Sequence, residues 1–144
     1  MADADRLAVL HADHRVMQFL KHGALDRRQS DAMVAEYEAE WSAFGFGSWT
    51  ATERESGLLV GYGGLRAHDL GHGAAMRAAI IPEAQGKGYG PEMTRAAIDF
   101  AFDVAGLERV SAVTRDSNVH ARRVLDKLGL ALERQTRSEE GILL

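Results

Sequence analysis

The sequence predicts a mixed α/β domain of the α+β type, in which helices come first, a β-hairpin follows, and strands then alternate with helices. Before residue 45, apolar side chains recur at the three- and four-residue steps of amphipathic helices. Two extended runs, at residues 48–53 and 58–66, flank a polar turn and indicate the hairpin. With 144 residues and no repeat or linker, we expect a single domain over residues 1–144.

Two helical segments are predicted before the hairpin. Residues 5–21 carry apolar side chains in a pattern of two short helical pieces, which end near Gly23. Ser30 is a candidate N-cap for a longer helix through residue 43. The apolar face of that helix would be formed by Met33, Val34, Tyr37, Trp41 and Phe44.

The second half of the chain alternates strands with helices. Residues 74–81 form an apolar strand that stops at Pro82, because proline has no N–H to donate to a ladder. The remaining elements are helices at residues 92–104 and 117–128, each followed by a glycine, and strands at residues 109–114, from near Leu130, and at residues 142–144.

Composition excludes several classes of protein. The chain has no cysteine, which excludes disulfides, thiolate metal sites and a cysteine acyl intermediate, and we expect no metal. The net charge of −4 argues against nucleic acid as a partner. No apolar stretch approaches the roughly 20 residues that span a bilayer, and no secretory signal is visible, so we expect a cytoplasmic protein without membrane contact.

A glycine-rich loop, Gln85-Gly86-Lys87-Gly88-Tyr89-Gly90, lies between a predicted strand and a predicted helix. Glycines let successive N–H groups turn towards one centre, and the N-terminus of the following helix adds about half a positive charge. Such a loop binds anions, phosphates above all. Lys87 is a further candidate for phosphate contact.

Three phosphate motifs compete for this loop. The dinucleotide fingerprint would place its third glycine at Pro91, and the P-loop would need a glycine where the sequence has Ile81. The pattern Q-x-x-G-x-G fits, with Gln85, Gly88 and Gly90 in its three defined positions.

With this pattern the sequence resembles the GNAT superfamily of N-acetyltransferases, and in particular its RimJ/RimL-like branch of ribosomal-protein N-acetyltransferases. The resemblance covers most of the chain. It is carried by residues 81–90, by the segments 99–102 and 106–110, by residues 118–130, and upstream by residues 17–20, Trp41 and residues 44–49.

The resemblance implies a central, mostly antiparallel sheet that is splayed at a coenzyme site and flanked by helices. It implies acetyl-CoA as co-substrate. Backbone groups of Ile80 and Ile81 would pair with the pantetheine arm, and the amides of residues 85–90 would hold the pyrophosphate. Asn118 would line the pantetheine slot, although a helix N-cap is an equally good interpretation of an asparagine at that position.

The activity implied is acetyl transfer to a primary amine, on a protein N-terminus or on a small molecule. The backbone N–H of Ile81 is the expected oxyanion donor. Ala75, Ala121 and Leu125 stand where relatives often carry a glutamate, a serine and a tyrosine, so the usual acid and base are missing. His72 is one candidate base and an ordered water is another.

Two features leave alternatives open. The first strand of the family is apparently missing and the last is short, which suggests a homodimer that completes the sheet, or a fragment of a longer chain. The missing acid and base suggest a catalytically idle acyl-CoA-binding or regulatory domain. A nucleotide-binding module that uses the glycine loop is the third interpretation.

Overall fold

A computed structural model describes residues 3–18, 22–67, 73–133, 135–138 and 141–143. Three helices come first, and six strands, two further helices and a 3-10 turn at Pro82–Ala84 follow in these residues. The helices are α1 Ala4–Ala12, α2 His14–Met17, α3 Arg27–Phe44, α4 Tyr89–Asp103 and α5 Val119–Lys127. The strands are β1 Ser48–Thr52, β2 Leu59–Ala67, β3 Ala74–Ile80, β4 Val110–Ala112, β5 Thr136–Ser138 and β6 Gly141–Leu143.

Four strands form the central sheet in the order β1-β2-β3-β4. The first two pairings are antiparallel, which confirms the hairpin, and β4 runs parallel to β3. The β3–β4 ladder covers only Ala74–Met76 of β3, so the second half of that strand has an open edge. This opening agrees with the splayed sheet that the sequence predicts. Strands β5 and β6 pair with each other in a separate two-stranded sheet.

Helix α3 begins earlier than the sequence predicts. Its N-cap is Asp26, whose side chain accepts from the Gln29 N–H at 2.8 Å while the Gln29 side chain accepts from the Asp26 N–H at 2.9 Å. This capping box satisfies two otherwise unpaired donors. The prediction of Ser30 as N-cap is therefore wrong, and Ser30 is a buried residue inside the helix.

Strand β5 also differs from its prediction. It begins at Thr136 and not near Leu130. The Leu130 N–H donates to the Leu125 carbonyl oxygen at 3.1 Å, and Gly129 takes a positive φ of 84°. Because these two residues close the C-terminus of α5, the Leu130 N–H is already used and cannot start a ladder.

The sheet is covered on both faces by helices. Helices α1 to α3 pack on one face around Leu10, Met17 and Tyr62, and this side is called the α3 face below. Helix α4 packs on the other face around Leu65, Met76 and Ala97, together with part of α5. In the described residues no helix is both long and apolar enough to cross a membrane.

One polar pair lies inside the core of the α3 face. His11 is fully buried, and its Nδ1 lies 2.8 Å from the Ser30 Oγ. The ring stands edge-on to Tyr62, with 5.0 Å between ring centroids, and Nε2 has no hydrogen-bond partner among the described residues. Burial lowers the pKa of His11 below its ordinary value of 6.5, because the charged ring would lose its hydration.

We expect His11 to make the protein less stable in acid. The unfolded chain takes up a proton near pH 6.5 and the folded chain only at lower pH, so this contribution is present above pH 6.5 and is lost below it. The free energy of unfolding should fall by up to about 1.4 kcal/mol per pH unit from this group. Urea unfolding of wild type and His11→Gln between pH 5 and 8 measures the difference. An unchanged slope in His11→Gln would contradict the assignment, and the exposed His120→Gln serves as control.

Candidate functional site

The glycine-rich loop leads directly into helix α4. Gly88 is the N-cap of α4 and has φ 88°, and Gly86 has φ 77°. A side chain at either position would meet no atom within 4 Å, so the space in front of the loop is open. Among the described residues, the N–H groups of residues 86–90 donate to no acceptor. Five unpaired donors at a helix N-terminus form a site for an anion.

Gln85 contributes to the loop in a different way from the prediction. Its backbone N–H donates to the Pro82 carbonyl oxygen at 3.2 Å, so this amide is already paired and is the exception within residues 85–90. Its side-chain Nε2 donates to the Ile80 carbonyl oxygen, also at 3.2 Å. The Gln85 side chain therefore connects the loop to the end of β3 through this hydrogen bond.

Glu53, which no sequence pattern indicates as a site residue, contacts the loop from the β1–β2 turn. Its Oε1 accepts from the Tyr89 hydroxyl at 2.5 Å and lies 3.8 Å from the Lys87 Nζ. Hydrogen bonds from Ser56 and Tyr89, and then the Lys87 charge, hold the pKa of Glu53 below its usual value. The same hydrogen bond raises the pKa of Tyr89. Lys87 is predicted to contact phosphate, but in this structure its ammonium group lies near the Glu53 carboxylate.

The exchange Glu53→Gln is expected to strengthen coenzyme binding. The amide oxygen still accepts from Tyr89, but the negative charge beside the anion site is gone and Lys87 is released. For one exposed charge we expect a gain of roughly threefold in affinity, and the gain should shrink at high salt. Isothermal titration with CoA at two salt concentrations measures it. Weaker binding by Glu53→Gln would contradict the prediction, and Glu108→Gln on the exposed α4–β4 loop is the control.

The open edge of β3 decides which backbone groups face the site. The Ile81 N–H donates to the Val60 carbonyl oxygen at 2.9 Å, so this N–H points towards β2 and is already paired. The structure therefore argues against Ile81 as oxyanion donor. Successive N–H groups of a strand point to opposite sides, so those of Ile80 and Ala78 point away from β2, towards the open edge.

Asn118 is the N-cap of α5. Its Oδ1 accepts from the Ala121 N–H at 3.2 Å, which agrees with the N-cap interpretation of this residue. The oxygen is thereby used, and the amide NH₂ is the group left to face a ligand. A role for Asn118 beside pantetheine stays a prediction.

The structure supports none of the candidate side chains as the general base. His72 lies outside the described residues, so its role as a base stays a prediction. Glu83, a carboxylate just before the glycine-rich loop, is a further possible base; it is exposed and lies 2.9 Å from Arg15. A backbone hydrogen bond and the Arg15 guanidinium lower the pKa of Glu83, so it is a weak base. Tyr37 and Tyr62 are buried on the α3 face, and burial raises the pKa of both hydroxyls.

A cavity of about 80 Å³ lies on the α3 face, opposite the face that α4 covers. No sequence pattern predicts this cavity. It is lined by side chains from three strands, from α2 and α3, and from the α2–α3 loop: Met17, His22, Met33, Tyr37, Ser48, Tyr62, Arg66 and Arg77. Only the strand register, which sequence patterns do not specify, brings Ser48, Arg66 and Arg77 together.

Fold and site together define a class of protein, an α/β domain in which the open edge of a strand lies near a glycine-rich loop at a helix N-terminus. The chain matches the model of the Acetyltransferase (GNAT) domain family over residues 1–131. It therefore belongs to that family, as an acetyl-CoA-dependent acetyltransferase.

Solved structures agree with this fold. A GNAT-family acetyltransferase from Bordetella pertussis superposes with a TM-score of 0.85 at 21% identity, covering 99% of this chain and 87% of that one. YncA from Salmonella typhimurium, solved with acetyl-CoA, gives 0.79 at 22% identity over 99% and 85% of the two chains. Spermidine N-acetyltransferase from Vibrio cholerae, solved with CoA and spermine, gives 0.80 at 19% identity over 96% and 80%. At these identities the likeness concerns the fold.

Proposed function

We propose that this domain moves the acetyl group of acetyl-CoA directly to a primary amine, on a protein N-terminus or on a small molecule. The observation that carries the proposal is the set of five N–H groups of residues 86–90, which have no acceptor among the described residues and lie next to the open edge of β3. A diphosphate could accept hydrogen bonds from the N–H groups of residues 86–90. An extended pantetheine arm carries amides of its own, so it could pair with the open edge of β3 in the way that an added strand does.

The backbone of β3 takes two roles in this proposal. The N–H groups of Ala78 and Ile80 replace that of Ile81: one pairs with the pantetheine arm and the other donates to the thioester oxygen as negative charge develops there. The Ile80 carbonyl accepts from Gln85 and keeps a second lone pair for an amide. Acetyl-CoA supplies the acetyl group and leaves as CoA with a proton on sulfur. With Glu83 paired to Arg15, an ordered water is the proposed proton acceptor.

Membership of the RimJ/RimL-like branch, a cytoplasmic location and one domain over residues 1–144 are part of the same proposal. The motif residues of the loop and residues 118–130 support the branch. A homodimer is proposed as well. It is supported by β1, which pairs only with β2 in the described chain and so offers an edge to a second copy.

The test is turnover of an amine panel with acetyl-CoA. The panel holds polyamines, amino acids, arylalkylamines and short peptides with free N-termini. Free CoA is measured with a thiol reagent, and the acetylated amine is identified by mass spectrometry. We expect equal amounts of both products with at least one amine. Tight binding of acetyl-CoA without any product would contradict the proposal and favour the idle, coenzyme-binding alternative.

A further inference from the structure

The cavity on the α3 face is built by the register of the central sheet. Tyr62 of β2 lies opposite Ala79, and Gly64 lies opposite both Arg77 of β3 and Ser48 of β1. Side chains alternate along a strand, so Tyr62 and Arg77 project to the same face. Gly64 lies between Ser48 and Arg77 in this register, so these two side chains stand on either side of a residue without a side chain.

The two arginines that line the cavity differ in their partners. The Arg66 guanidinium binds Glu40 at 2.9 Å and Glu36 at 3.3 Å, and lies 5.3 Å from the centre of the Tyr37 ring. In the described part of the chain, Arg77 has no carboxylate within ion-pair distance. Among the described residues, Arg77 is therefore a cation without a carboxylate partner, and it borders the cavity near two carboxylates that share one arginine.

Arg77 lies on β3 close to the backbone groups that are proposed to take part in the reaction. Arg77 directly precedes Ala78, whose N–H faces the open edge, and one residue of strand spans about 3.3 Å. The phosphate loop and α4 cover the opposite side of the sheet. An acceptor must therefore approach from the α3 face, and a group bound by Arg77 would lie beside the reacting atoms.

We propose that the acceptor carries a carboxylate close to its amine, and that Arg77 binds this carboxylate in the cavity on the α3 face. The acceptor is then an amino acid or a similar short aminocarboxylate. Apolar side chains of Met17 and Met33 suit the rest of the molecule. This inference rests on the proposed acetyl transfer to an amine.

The test is binding to the protein saturated with CoA, measured by titration calorimetry. L-alanine and L-phenylalanine are each compared with their primary amides, and spermidine is added as a cation without a carboxylate. We expect the acids to bind at least tenfold more tightly than the amides, since an arginine–carboxylate pair is charge-assisted. Arg77→Gln should abolish the preference and leave CoA affinity unchanged. Arg77→Lys should keep part of it, and Arg54→Gln in the exposed β1–β2 turn should keep all of it.

Three results would overturn the inference: amides or spermidine binding as tightly as the acids, a preference that survives Arg77→Gln, or no binding by either acid. Acetyl transfer is followed separately through free CoA. Turnover of an amine without a carboxylate, together with any of these results, would leave the proposed function standing and remove only the role of Arg77. Binding of the acids without release of CoA would remove the acetyl transfer and keep the carboxylate site.

Discussion

Replacing Gly88 with glutamate is expected to abolish coenzyme binding, with a loss of affinity of about 100-fold or more. Gly88 has φ 88°, where a side chain costs about 1–2 kcal/mol. The new carboxylate would also stand among the loop N–H groups that are unpaired in the described structure, where the diphosphate is proposed to bind. Titration with CoA measures the loss.

Two further variants make this result specific. Gly106→Glu places the same side chain on a glycine with φ 66° and open surroundings at the other end of α4, and it should bind CoA normally. Gly88→Ala carries the strain without the charge and should lose far less affinity than Gly88→Glu. If Gly88→Glu retained the coenzyme as wild type does, the loop would not be the binding site.

Replacing Gly64 with alanine is expected to have the largest effect on stability. Gly64 lies in the middle of the sheet with φ 127°, and an added Cβ would lie 2.4 Å from the Gly47 carbonyl oxygen and 3.0 Å from the Ser48 Cα. Both are backbone atoms of the segment paired with β2, so they cannot rotate away. We expect a loss of about 3–5 kcal/mol in the free energy of unfolding, a large share of the stability of a domain this size.

The matched control for Gly64→Ala is Gly57→Ala in the β1–β2 turn. Gly57 also has a positive φ, of 68°, but an added Cβ meets nothing within 4 Å. Gly57→Ala should therefore show the cost of backbone strain alone, about 1–2 kcal/mol. Urea unfolding of the three proteins measures both differences. Equal losses at the two positions would mean that the close approach of β1 and β2 at Gly64 relaxes freely.

The glycine-rich loop shows which properties of a site can be predicted from a sequence pattern. The sequence predicts that residues 86–90 bind an anion, because glycines at given spacings before a helix determine the local backbone geometry by themselves. The backbone of Gln85 was assigned wrongly, because the turn after Pro82 uses its N–H. Whether an N–H is free depends on the acceptor opposite it, and no local pattern contains that acceptor.

By itself, the sequence determined the order of helices and strands, the hairpin, the glycine-rich loop before α4 and the family, since all of these depend on neighbours along the chain. The tertiary structure decided that the Ile81 N–H faces β2 and that Ile80 and Ala78 face the open edge, because strand register places them. It also brought Glu53 to the loop and Arg77 to the cavity. These contacts join residues far apart in sequence, and only packing determines which of them meet.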